Sequence, residues 1–219
     1  MMNNEDQELC LARLKAGSQE EKEEAAYAIA KSGAPHLLQQ LWLALDGDSA
    51  EPSVASRGAS DGLIDGAPAT IPPLIHELKT QSKSAVVRIC AYALGEISYR
   101  QGEKRDERIP SALVEALQQL PAPDSKSASP FVAALRECAR GKPVPAATPI
   151  LKKVLDNIGG EKEPYLFCLD NVLETLHLNE GRAFLDELTA RLRAAGSATE
   201  FTEVLVQFLA SHLPGKGDK

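Results

Sequence analysis

The sequence predicts an all-α protein, arranged as a solenoid of about five helical pairs with a helix closing each end. Three observations carry this. Aromatic residues make up only 5% of a chain that is 43% hydrophobic, so the core must come from thin helices packed closely rather than from large rings. Leucines in matching settings recur at Leu37, Leu74, Leu113, Leu151 and Leu185, with steps of 37, 39, 38 and 34 residues, the spacing of helical-pair repeats. Period-two alternation with β-branched residues is sustained nowhere, which leaves strands without support.

The elements follow in order. An N-terminal helix is expected near Asn4–Ala16. Each repeat then holds a first helix, A, and a second, B. The A helices are read at 23–32, 53–64, 84–98, 130–140 and 164–178. The B helices contain the periodic leucines, and a proline marks the start of four of them, at Pro35, Pro72, Pro110 and Pro149. Proline suits a first turn because its missing N–H has no partner within the helix there. Ser18-x-x-Glu21 has the form of a capping box, and Thr70, Ser129 and Thr148 stand ahead of Pro72, Pro130 and Pro149 as further start signals. Turns are placed at 31–35, 46–52, 65–68, 121–129, 141–149 and 195–198, and a closing helix near 199–213. The domain plan is a capping helix over 1–17, a solenoid over 18–195, a second capping helix over 196–213 and a disordered tail at 214–219.

Residues 86–97, VVRICAYALGEI, are the sharpest copy of the repeat. Val87, Cys90, Ala91, Leu94 and Ile97 fall on one helical face, which is therefore core. Ala93 and Gly95 admit a neighbouring helix at close range, and that packing compensates for the roughly 1 kcal/mol by which Gly is poorer than Ala inside a helix. VRICAYALG resembles the signature of HEAT repeats, which opens on Val-Arg and closes on Ala-Leu-Gly, in the variant found in phycobilisome-lyase-like proteins. EEAAYAIAKSGAPHLLQQL and ASRGASDGLIDGAPATIPPLI are similar, with the same Gly-Ala-Pro hinge before helix B. The resemblance covers about residues 18–195. It implies a right-handed superhelix whose B helices line a concave groove that grips a partner.

Function classes narrow from charge and motif content. With 24 basic against 31 acidic residues the net charge is −7, which disfavours a phosphate backbone, and Lys142, Lys152 and Lys153 are too few to form a basic stripe. Neither nucleic acid nor membrane is an expected partner. No apolar run approaches the about 18 residues that span a bilayer, and the opening MMNNEDQELC is acidic where a secretory signal is basic, so a cytoplasmic protein is expected. Cys10, Cys90, Cys138 and Cys168 are too far apart for a metal-ligand spacing and read as reduced, mostly buried thiols. His36, His76, His177 and His212 are scattered. HEAT-type iron hydroxylases need several His-Glu dyads, and His76-Glu77 is a single one. The fingerprints of metalloproteases, serine hydrolases, P-loops and dinucleotide folds do not occur. No cofactor and no catalytic residue is expected.

The expected function is non-catalytic: a scaffold, adaptor or assembly factor that binds another protein. Groove candidates on the B helices are Gln39, Gln40 and Trp42, then His76 and Lys79, then Glu115, Gln118 and Gln119, then Lys152, Lys153 and Asp156. Trp42, the only tryptophan, reads either as core or as the groove's anchor. The segment 99–108, YRQGEKRDER, lengthens one A-to-B turn, and its Arg100, Lys104, Arg105 and Arg108 form a second contact candidate. The terminal helices, with Leu9, Leu14, Phe201, Leu205 and Phe208, either cap the stack or pair with a second copy in a homodimer. The resemblance implies an alternative: a bilin lyase-like subunit or tetrapyrrole chaperone, with Tyr92, Tyr99, His76 and Arg88 as contacts.

Overall fold

A computed structural model describes residues 2–45, 54–80, 84–194 and 199–213. Among these, twelve α-helices occur and no strand. They are α1 (Asn4–Ala16), α2 (Gln19–Ser32), α3 (Pro35–Leu45), α4 (Val54–Asp65), α5 (Ile71–Thr80), α6 (Ser84–Gln101), α7 (Arg108–Gln119), α8 (Ser125–Gly141), α9 (Thr148–Ile158), α10 (Leu166–Glu180), α11 (Arg182–Ala194) and α12 (Glu200–His212). Short 3-10 turns sit at Gly102–Lys104 and Pro145–Ala147. The expected turns at 46–52 and 195–198 and the expected tail at 214–219 lie wholly or largely outside the described residues.

The even-numbered helices α2 to α10 are the A layer and the odd-numbered α3 to α11 the B layer. From α2 to α10 each A helix packs on the next, and α2, α6, α8 and α10 pack on their own B helices, whereas α5 packs chiefly on α6 of the following repeat. All five periodic leucines are buried, none more than 3% exposed, so the period marks equivalent core positions. One apolar cluster runs from Leu14 on α1 to Leu209 on α12 without a break. That continuity is what a repeat stack requires, since a single helical pair leaves its apolar face uncovered. The chain is an all-α solenoid of stacked helical pairs.

The A layer is the tight one. On α4, Gly58 and Gly62 lie one turn apart against α2, where an added Cβ would stand 2.2 Å from the Glu23 carbonyl oxygen and 2.3 Å from that of Tyr27. Those distances leave no room for any side chain, so backbone meets backbone. At Gly95 on α6 the added Cβ would stand 2.9 Å from Ala134 Cα on α8. Successive B helices touch one another much less.

Polar ties repeat with the same period. Tyr27 Oη donates to Asp65 (2.9 Å), Ser125 Oγ to Glu161 (2.5 Å), Arg140 Nη2 to Glu174 (3.1 Å) and Lys152 Nζ to Glu187 (2.7 Å), each across 34 to 38 residues. They join one repeat to the next and fix its register.

Local chemistry explains most helix starts. Ser18 and Glu21 form the capping box in both directions, at 3.2 and 2.8 Å. Pro35, Pro72, Pro110 and Pro149 all fall within the first three residues of their helices. One start is corrected. Ser129-Pro130 does not open α8; Asp124 does, accepting from the N–H groups of Lys126 (3.0 Å) and Ser127 (2.7 Å), so the helix begins five residues earlier and carries Pro130 inside it. Thr70 is not a cap either: its buried hydroxyl donates to the Leu63 carbonyl (2.7 Å) and pins the α4–α5 turn.

Candidate functional site

On α6 the core face carries Cys90, Ala91, Leu94 and Ile97, and the opposite side carries Arg88, Tyr92 and Glu96 at one-turn intervals. The absence of a side chain at Gly95 draws α8 against α6 beside Tyr92, whose ring stays 53% exposed. On α8 the facing residues are short: Ser129, Pro130, Ala133 and Ala134. Next along the layer, Tyr165 and Phe167 stand at the start of α10, 46% and 50% exposed, with ring centroids 6.0 Å apart. Together these residues line a cavity of about 620 Å³, with α8 as its floor and aromatic rings from α6 and α10 as its walls.

The α10 wall is held in place by hydrogen bonds. Glu161 accepts from the backbone N–H of Ser125 (2.7 Å) and from its hydroxyl, and the same hydroxyl accepts the Tyr165 N–H at 2.8 Å. Ser125 is fully buried, so this clamp ties the entry to α10 to the first turn of α8.

Charge is divided along the trough. Arg88 and Lys126 stand at the end formed by the helix N-termini. Neither makes an ion pair among the described residues. Glu96, Arg136 and Glu137 stand at the other end, where Arg136 pairs with Glu137 (2.7 Å) and Glu174 (3.4 Å), and Arg140 with both. Burial, then the charges of Glu96 and Asp61, push the Tyr92 phenol above its ordinary pKa, so it stays a neutral donor. Past Arg88, Lys126 and Pro130 a second cavity of about 510 Å³ continues between α5, α7 and α8, bordered by Lys79, Gln119 and Phe131.

The residues singled out from sequence scatter. Trp42 is buried at 4% exposure within the α3 core and is not a groove anchor, because its neighbours on the same stripe, Leu38, Leu41 and Leu45, face the interior. Arg105 is not a surface contact. Its side chain is 3% exposed and donates to the carbonyls of Cys138 (2.8 Å), Lys142 and Pro143 (3.1 Å), ending α8. Around it, Arg100 pairs with Asp65 (3.3 Å), Arg108 with Asp106 (2.6 Å), and Lys104 is exposed.

On the B layer, Gln39, His76, Gln118, Gln119 and Lys153 are exposed and Gln40 is half-buried. Lys79 pairs with Glu115 (2.6 Å), Lys152 with Glu180 (3.0 Å) and Glu187, and Asp156 with Arg191 (2.5 Å). Of these candidates only Lys79 and Gln119 border either cavity.

Lys126, Arg136, Glu137, Tyr165 and Phe167 were not singled out from sequence. The available signal was that Tyr92, Tyr165 and Phe167 fall off the apolar stripes of their helices.

The thiols are unsuited to nucleophilic chemistry. Burial pushes Cys138 up to about 11 and Cys168 up to about 12, and pushes Cys90 well above its ordinary value. Among the described residues no group of three or more His, Cys, Asp or Glu is placed to hold a metal ion, and no helix is long and apolar enough to cross a membrane.

No family model matches the chain, and no curated protein matches it. Among solved structures a designed armadillo repeat protein is similar over 94% of this chain and 98% of its own, at 17% identity and a TM-score of 0.46. The solenoid assignment rests on the chain's own helix order and packing.

Proposed function

We propose that the protein is a non-catalytic binding module, a scaffold, adaptor or assembly factor, and that it receives an apolar segment of another protein in the trough over α6, α8 and α10. The observation that carries this reading is the grouping of three half-exposed rings, Tyr92, Tyr165 and Phe167, around one cavity of about 620 Å³. Exposed rings cost solvation unless something covers them, and aromatic anchors dominate the energetics of protein interfaces.

The test is affinity purification of the wild-type chain beside Y92A/F167A. Both side chains are about half exposed and lie outside the apolar core, so the variant is expected to keep its helicity and most of its melting temperature while losing the co-purifying partner. Retention of the partner by a folded variant argues against the trough. Loss of the partner on charge reversal at Lys153 instead moves the interface to the B layer.

A tetrapyrrole reading has one observation in its favour: Arg88 and Tyr92 line the same cavity, though His76 and Tyr99 do not. Mixing the purified chain with a bilin tests it, and an unchanged absorption band removes it.

A further inference from the structure

We infer that the occupant of the trough is a peptide segment of a partner protein that places an acidic residue against Arg88 and Lys126 and apolar side chains against Tyr92 and Phe167. This rests on the trough reading above and adds the chemistry of the partner.

Charge complementarity carries it. Of the basic residues lining the two cavities, Lys79 is held by Glu115 at 2.6 Å and Arg136 by Glu137 at 2.7 Å. Arg88 and Lys126 alone remain without an ion pair among the described residues, and they stand on the ridge where both cavities meet. The opposite end carries Glu96, so the trough has a sign: positive toward the N-termini of α6 and α8, negative toward their C-termini. A bound segment is thereby oriented.

Length argues for a peptide rather than a compact anion. Arg88 and Glu96 are eight residues apart on one helix, about 12 Å along its axis, and the second cavity extends the path beyond Arg88. The chain's overall charge of −7 repels an acidic segment at long range, but salt screens that field beyond about 8–10 Å and leaves the local pair to decide orientation.

The experiment is a selection of random dodecapeptides displayed on phage against the full chain. Enriched peptides are then synthesised with a fluorescent label and titrated by anisotropy. The expected peptides combine Asp or Glu with Leu, Phe or Trp, and R88E/K126E weakens their binding by roughly tenfold or more, a difference that shrinks at high ionic strength. Enrichment without acidic residues, unchanged affinity in R88E/K126E, or no enrichment overturns the inference. If Y92A/F167A still abolishes binding while R88E/K126E does not alter it, only the acidic claim falls. If neither variant changes binding, the trough reading falls as well. Self-association of the wild type that R88E/K126E abolishes assigns the trough to a second copy and overturns the inference too.

Discussion

Arg105 Nη1 donates to the backbone carbonyl of Cys138 at 2.8 Å, so a side chain from the α6–α7 connection finishes the C-terminus of α8. The last turn of a helix has carbonyls without intrahelical N–H partners, and here a buried guanidinium supplies donors to Lys142 and Pro143 and a second donor to Cys138, which also accepts the Lys142 N–H at 3.1 Å. R105A is expected to lower unfolding free energy by about 2–4 kcal/mol, because it removes a buried donor from the Lys142 and Pro143 carbonyls, leaves Cys138 with the Lys142 N–H alone and empties a packed site. R105K keeps the charge but not the fork and is expected to recover only part of the loss. Urea denaturation measures both, and a cost for R105A below about 0.5 kcal/mol, the scale of an ordinary surface change, contradicts the capping role.

Gly62 gives the next expectation. In an isolated helix Gly→Ala gains about 1 kcal/mol. Here the new methyl would lie 2.3 Å from the Tyr27 carbonyl oxygen, which is backbone and cannot rotate away. Overpacking of this kind costs about 1–3 kcal/mol, so G62A is expected to be destabilising on balance. A raised melting temperature for G62A would show that α2 and α4 are farther apart than described.

Asp124 sets a pH dependence. Its carboxyl is held below its ordinary pKa by hydrogen bonds from Ser127, with Lys126 adding to the effect. A depressed folded-state pKa means that the stabilisation is complete above the ordinary aspartate value, about 3.9, and is lost as pH falls through the lower folded value. D124A is expected to cost about 1 kcal/mol at neutral pH. D124N, an equally good cap, is expected to be near neutral there and to flatten the acid limb of the stability curve. Melting temperatures across the acid range check the sign.

Thiol labelling reports burial. Cys10 is partly exposed, whereas Cys90, Cys138 and Cys168 are buried with raised pKa values. Alkylation of the native chain at mildly alkaline pH is expected to modify Cys10 first, the other three reacting only after unfolding. Fast labelling of Cys138 or Cys168 in the folded protein would contradict the packing of α8 or α10.

The repeat plan was legible in the sequence because it is written in periodicity: Leu37, Leu74, Leu113, Leu151 and Leu185 are buried where their spacing puts them. The α8 start was misread because proline is a stronger local signal than the aspartate six residues earlier, although Asp124 has the better cap geometry. Arg105 was misread for a different reason. A charged residue in a polar loop normally faces water, and the carbonyls that bury this one lie 33 to 38 residues away. Trp42 was ambiguous because a ring in a leucine-rich helix fits core and interface alike.

The trough was not legible. Its floor depends on how closely α6 and α8 approach, which Gly95 and Ala134 decide, and its second wall depends on Ser125 meeting Glu161 and Tyr165. Neither relation has a local signature, and the HEAT resemblance directed attention to the B helices.

Amide chemical-shift mapping tests the central claim most directly: the ¹⁵N-labelled chain is titrated with a peptide from the selection described above. Perturbations concentrated at 88–96 on α6, 126–137 on α8 and 165–167 at the start of α10 are the predicted result. Perturbations confined to α3, α5, α7 and α9, with the A layer unchanged, would contradict the account.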